Sequence, residues 1–137
     1  VGVKAAFESG GGGLVGSTDD YLRFMLMLAN GGTFNGKRLL GAQTVAFMTA
    51  DHTGAAPGRP PGLGFGLGFE VRKSTGMAAL PGSEGEYGWA GNAGTLFWID
   101  PQRKLMALYM VQVNDYDRMF LRNQFRTLLG GSSEAST

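Results

Sequence analysis

The sequence predicts an α/β fold in which an antiparallel β-sheet is flanked by helices. Three observations carry that prediction. "DDYLRFMLMLA" spaces its apolar residues as a helix does. "GLGFGLGFEVR" alternates with period two, as a strand does. Three further strand signals follow before a last helical segment, which suits helices packed on an antiparallel sheet.

Residues 1–16 form a Gly-rich lead-in. Ser17 or Thr18 can cap the first helix, and Asp19 and Asp20 suit the positive end of its dipole. Tyr21, Leu22, Met25, Leu28 and Ala29 then fall on one face, and Asn30-Gly31-Gly32 is a stop. Asn35-Gly36 in "TFNGKRLL" is a strong hairpin signal, so a small β-ribbon follows. "AQTVAFMT" predicts a short helix over 42–49, and His52 with Pro57, Pro60 and Pro61 marks a surface loop over 51–61.

The run Leu63, Phe65, Leu67, Phe69, Val71 predicts one strand whose glycine face is closely covered, or which bends there. Residues 73–83 read as a loop. The next strands are expected over 84–91, 95–99 and 104–113. Asp100-Pro101-Gln102-Arg103 is a tight turn between the last two, with Pro at its favoured second position. The final helix is expected over 116–129, aligning Leu121, Phe125, Leu128 and Leu129, with Gly130-Gly131 ending it and "SSEAST" frayed.

Composition narrows the function. With 137 residues and 43% hydrophobic content the chain can bury one ordinary core. A net charge of +1 gives no electrostatic case for nucleic acid. No apolar run is long enough to suggest a membrane span, and without Cys there is neither a disulfide framework nor thiolate chemistry. The compartment stays open. "VGVKAAFESGGGG" reads like the interior of a longer polypeptide, so a piece cut or processed from a larger protein is expected. Glycine is heavily used, 24 of 137 residues against a typical share of about 7%, and clusters beside apolar segments.

No complete catalytic set lies within the chain. Ser83 in "PGSEG" has Pro81 where a nucleophile elbow needs Gly, and reads as a polar loop residue. No Ser stands three residues before a Lys, and no Tyr has Asn two residues later. His52, the single histidine, reads as a surface residue, and no metal site of His or Cys can be built. Glu84 and Glu86 are two apart and read as a solvated strand end. Gly11–Gly16 matches G-x-G-x-x-G but follows a poor strand and opens no βαβ unit, so it reads as a turn into a capped helix. Lys73-Ser74-Thr75-Gly76 has one residue too many for Lys-Thr-Gly and reads as a loop. No cofactor is expected.

Four stretches, taken in order and spacing, carry a resemblance. They are "FESGGGGLVGSTDDYLRFMLMLANGG", "NGKRLLGAQTVAFM", "GFGLGFEV" and "EYGWAGNAGTLFWIDPQRKLMALYMVQ", which cover most of residues 7–113. The chain resembles the C-terminal part of the serine β-lactamase and penicillin-binding-protein-like hydrolases, above all the family VIII carboxylesterases related to class C β-lactamases. The resemblance implies a β-lactamase/transpeptidase-like sandwich, of which residues 1–137 would be the C-terminal segment. The lead-in would span 1–16, a helical part with its ribbon 17–61, the sheet strands 62–113, and the last helix with its tail 114–137.

In that family one strand edges the active-site cleft, with Lys-Thr-Gly in β-lactamases and Trp-x-Gly or His-x-Gly in many esterases. Trp89-Ala90-Gly91 stands in that place here. The missing lysine removes the cation that would meet a β-lactam carboxylate, which implies ester substrates. The resemblance assigns Trp89 to an apolar wall, and Gly91 to close approach of the substrate. The backbone N–H of Asn92 becomes the strand-side oxyanion donor, a kind of group that contributes about 10²–10³ in rate. The nucleophilic Ser and Lys and the Tyr base would lie upstream, so the expected partner is the N-terminal part of the same hydrolase and the expected substrate a small ester. The chain alone should then be inactive, and should leave a sheet edge and a helix face uncovered. A non-catalytic peptidoglycan or acyl-peptide binding module of the same fold is the alternative.

Overall fold

The computed structural model describes residues 6–7, 9–12, 14–113 and 117–132. Helix α1 spans Thr18–Ala29, and Ser17 caps it by accepting a hydrogen bond from the Asp20 N–H at 3.1 Å. The chain then makes a two-stranded ribbon, β1 (Thr33–Phe34) and β2 (Lys37–Arg38). Asn35 and Gly36 take φ of 47° and 76°, the left-handed pair that a two-residue hairpin turn needs. Helix α2 is short, Ala42–Met48.

Five strands follow in sequence order: β3 (Leu63–Phe65), β4 (Glu70–Arg72), β5 (Tyr87–Ala90), β6 (Leu96–Asp100) and β7 (Leu105–Tyr109). Each pairs antiparallel with the next, so the sheet is a meander. Helix α3, Arg118–Ser132, closes the described chain.

The alternating run over 63–71 is a hairpin and not one strand. Leu63 pairs with Arg72 and Phe65 with Glu70, while Gly66 N–H donates to Phe69 O at 2.8 Å across the turn. Gly68 sits at φ 95°, open to glycine and strained for other residues. The glycine face is also closely covered: a Cβ on Gly66 would lie 2.1 Å from Met48 O. Period two persists through a tight hairpin, so alternation alone does not reveal the turn.

β6 is buried on both faces, which is why "LFWID" is a continuous buried run. On one face Phe69, Val71, Tyr87, Phe97 and Ile99 pack with Met25, Met27 and Leu28 of α1 and Val45 of α2. Leu22 and Ala29 of the expected α1 stripe are exposed; Met27 takes a core place instead. On the other face Leu96, Trp98 and Ala107 pack with Phe125 and Leu129 of α3. Leu128, expected on the same stripe, is 73% exposed. α3 also runs through Gly130-Gly131 to Ser132 rather than stopping there. Its expected first residue, Tyr116, and the tail from residue 133 lie outside the described residues.

At the β6–β7 turn the buried Asp100 carboxylate accepts from Gln102 N–H and Arg103 N–H, each at 3.1 Å, and from Ser83 Oγ at 2.7 Å. The carboxylate thus does what aspartate does at turn starts, and Ser83 is a structural partner to it. Among the described residues, β3 and β7 are the sheet's outer strands.

Candidate functional site

β5 is an inner strand along only part of its length. Against β6 all four residues pair, Tyr87 with Ile99 through Ala90 with Leu96. Against β4 only Tyr87 and Gly88 do, opposite Val71 and Glu70. β4 begins at Glu70, where the β3–β4 hairpin reverses the chain, so beyond Gly88 the edge of β5 remote from β6 has no strand paired with it among the described residues. Trp89, Ala90 and Gly91 lie along this open stretch.

Trp89 is 46% exposed although it sits in the middle of the sheet. Its ring meets Phe65 edge-on at 4.7 Å between centroids, and the Arg59 guanidinium lies over the Phe65 ring at 4.6 Å. An aromatic held on one side and open on the other makes an apolar wall with a fixed orientation. Two hollows flank the strand end. A cavity of about 520 Å³ lies toward α3, reached by Leu63, Leu80, Gly88, Ala90, Leu96 and Met119 among others. A smaller one of about 130 Å³ lies toward α1, between Tyr21, Trp89, Gly91 and Leu108. Burial raises the Tyr21 phenol above its ordinary value.

The glycines of "GWAGNAG" answer to the chain's own packing. A Cβ on Gly88 would lie 2.1 Å from Phe97 O of β6, and one on Gly91 would lie 2.2 Å from Thr95 Oγ1. A side chain at position 91 would therefore force the Thr95 hydroxyl to move, whatever approaches from outside. Gly91 N–H donates to Thr95 O at 2.9 Å and Gly94 N–H to Gly91 O at 3.1 Å, closing the turn that carries Asn92. Asn92 is exposed, and its N–H donates no hydrogen bond among the described residues.

α3 reaches this turn with two arginines. Arg118 donates to Asn92 Oδ1 at 2.6 Å and to Asn92 O. Arg122 donates to Gly94 O at 3.2 Å, to Thr95 O at 3.0 Å and to Gly91 O. Burial, then the neighbouring Arg118 charge, pull Arg122 below its ordinary value. One turn further on, Arg126 pairs with Glu86 and lies over the Trp98 ring at 4.6 Å.

Glu86 is not part of a solvated strand end. It is buried just before β5, where Arg72 pairs with it at 3.5 Å, while Glu84 is exposed. Arg72 also donates to Leu80 O at 2.8 Å and Pro81 O at 3.3 Å, leaving its Nε unsatisfied among the described residues. The sequence signal missed here was the partner set: Arg72 and Arg126 lie 14 and 40 residues from Glu86. Glu70 lies in the large cavity, its carboxyl raised chiefly by burial.

The remaining candidates take structural places. His52 Nε2 lies 2.7 Å from Phe47 O, and its ring packs on Phe47. Lys73 pairs with Asp51 at 2.8 Å and donates to Gly54 O at 3.0 Å. That ammonium, with hydrogen bonds from Thr53, holds the Asp51 carboxyl well below the usual carboxylate range. Gly11–Gly16 follows no strand among the described residues; Gly13 lies outside them. Among the described residues no group of three metal-ligating side chains converges, and no helix is long and apolar enough to cross a membrane.

This antiparallel meander with helices on both faces matches the fold of β-lactamase-like hydrolases of known structure. Residues 1–131 match the beta-lactamase family, and the chain belongs to it. It is similar to Protein Rv1367c of Mycobacterium tuberculosis, 36% identical over 119 residues that cover 78% of this chain and 29% of that protein. Among solved structures it is similar to EstCE1, described as a hydrolase with promiscuous acyltransferase activity. That match has a TM-score of 0.69 and 28% identity, and covers 85% of this chain and 30% of EstCE1. A simvastatin synthase variant from Aspergillus terreus shares the fold, with a TM-score of 0.66 at 20% identity over 88% of this chain and 35% of that one. The chain thus spans about a third of the length of the proteins it matches.

Proposed function

We propose that these residues form the C-terminal, cleft-edge part of a serine hydrolase that cleaves carboxylic esters through an acyl-enzyme. The observation that carries this reading is the open end of β5. Trp89 stands half-exposed there, and the Asn92 N–H at the turn that follows donates to no described residue. An acyl group laid along that edge meets Trp89 as its apolar wall, and its carbonyl oxygen meets the Asn92 N–H as charge develops on it. Trp89 carries no charge, which favours neutral ester substrates over ligands that need a cation at this position.

The nucleophile and its bases belong to the part of the hydrolase outside these residues. There a Ser of a Ser-x-x-Lys pair, assisted by Lys and Tyr, attacks the ester carbonyl. The alcohol leaves, and water then releases the acid. The similarity to EstCE1 and the match lengths of about a third support this division. So do the outer edge of β7, which has no strand beside it among the described residues, and the exposed Leu22 and Phe24 of α1.

A fluorophosphonate serine probe tests the reading, together with turnover of a 4-nitrophenyl ester. The expected result is neither label nor turnover on the 137-residue chain, and both on the full-length protein, with the label upstream of Val1. Label or turnover on the isolated chain would place the nucleophile within it and overturn the assignment. A full-length protein that takes no label yet binds acyl-peptides would instead be the non-catalytic binding module.

A further inference from the structure

Three backbone carbonyls of the β5–β6 turn, those of Gly91, Gly94 and Thr95, converge on the single guanidinium of Arg122. Arg118, one helical turn earlier, holds Asn92 O and Oδ1. Within the turn, Gly91 O also accepts from Gly94 N–H at 3.1 Å, and Thr95 O from Gly91 N–H at 2.9 Å.

The Gly91 contact has a consequence for the neighbouring N–H. No cis peptide bond occurs in the described chain, so Gly91 C=O and Asn92 N–H are opposite ends of one planar trans unit. A group that holds the Gly91 oxygen toward α3 turns the Asn92 N–H away from α3. A cation on the carbonyl oxygen also draws electron density through the amide resonance, which makes the N–H a stronger donor. The planar, five-donor fork of arginine can serve three carbonyls at once; an ammonium cannot reproduce that geometry.

We infer that Arg122 is the positioning residue for the Asn92 N–H, fixing and polarising the Gly91–Asn92 peptide from its carbonyl end. The inference rests on the reading of Asn92 as the oxyanion donor. It adds that α3, which also lines the larger cavity through Met119 and Arg122, sets the geometry of the cleft edge.

The test uses the full-length protein with Arg122→Lys and Arg122→Gln, and Arg126→Gln as a control on the same helix that has no contact with the turn. Asparagine-selective ¹⁵N labelling reads the Asn92 amide, and 4-nitrophenyl ester hydrolysis reads kcat and KM separately. Both Arg122 variants are expected to move the Asn92 amide resonance upfield, while Arg126→Gln leaves it in place. Both are expected to lower kcat at least about tenfold with KM within about twofold, the pattern of an interaction made in the transition state. Arg122→Lys keeps the charge, and so keeps the measurement available if Arg122→Gln does not fold. An unmoved Asn92 amide, or an unchanged kcat in a variant whose amide has moved, would overturn the inference. A wild-type protein without ester turnover would overturn the hydrolase reading instead, and the amide signal would still decide whether Arg122 positions the turn.

Discussion

On the α1 side of the sheet, Val71, Tyr87, Phe97 and Ile99 meet Met25 and Leu28 in an apolar layer. On the α3 side, Trp98 and Ala107 share the face with Glu86, Arg72 and Arg126, beside a cavity of about 520 Å³. The first face is held by area removed from water and by close packing. The second is held at defined points, where arginines of α3 meet a buried carboxylate and a row of carbonyls. Apolar contacts tolerate small slides of a helix, whereas a charge buried against its partner does not. The α1 face therefore contributes through apolar burial, and the α3 face sets the register of a helix against the turn carrying Asn92.

The largest effect that can break this contrast is at Glu86. Removing it leaves Arg72, 4% exposed, without its counter-charge, and Glu86→Ala is expected to cost about 3–5 kcal/mol in urea unfolding. The paired replacement Glu86→Leu with Arg72→Met should recover much of that loss, because burying two opposite charges is itself expensive. If the paired variant is as unstable as Glu86→Ala, the α3 face draws net stability from its charges and the contrast fails.

Next comes Leu28, 2% exposed on the apolar face. Leu28→Ala should cost about 3 kcal/mol by lost transfer and an unfilled cavity, with unfolding measured the same way. A loss well below that would mean the α1 layer collapses easily and is less closely packed than its burial implies.

The smallest effect is at Glu70. Its folded-state pKa is raised, mainly by burial, so the native state holds the proton more tightly than the unfolded chain does. Stability contributed by the protonated form is therefore present at low pH. It declines as pH rises from the ordinary glutamate value through the raised one. Glu70→Gln should flatten that slope and stabilise the protein above it by less than about 1 kcal/mol, since solvent screens a half-exposed group. A melting-temperature profile from pH 4 to 8 checks this. On the opposite face burial alone pushes the Tyr87 phenol up to about 12, so that group stays neutral across the same range.

Much of the chain was legible where the cause is local. Ser17 before "TDDYL", Asn35-Gly36 between short strands, and Asp100-Pro101 before a turn each act within a few residues, and each takes its expected place. The apolar run of "LFWI" is equally direct, because a strand buried on both faces needs it. Residues 63–71 read as one strand from their pattern because a hairpin through Gly68 preserves the alternation that a single strand would show.

Apart from the 66–69 turn and the end of α3, the order of helices and strands, the α1 cap and the turns at Asn35-Gly36 and Asp100-Pro101 were determined by the sequence by itself, since propensity, capping and turn chemistry are short-range forces. Tertiary structure alone decided which groups far apart in the chain would meet. It buried Glu86 between Arg72 and Arg126, began β4 only at Glu70, opposite Gly88, so that the edge of β5 beyond it is unpaired among the described residues, and brought Arg118 and Arg122 onto the turn at Asn92. Buried charge and backbone carbonyls are satisfied by whichever donors the fold brings near, and periodicity carries no record of that pairing.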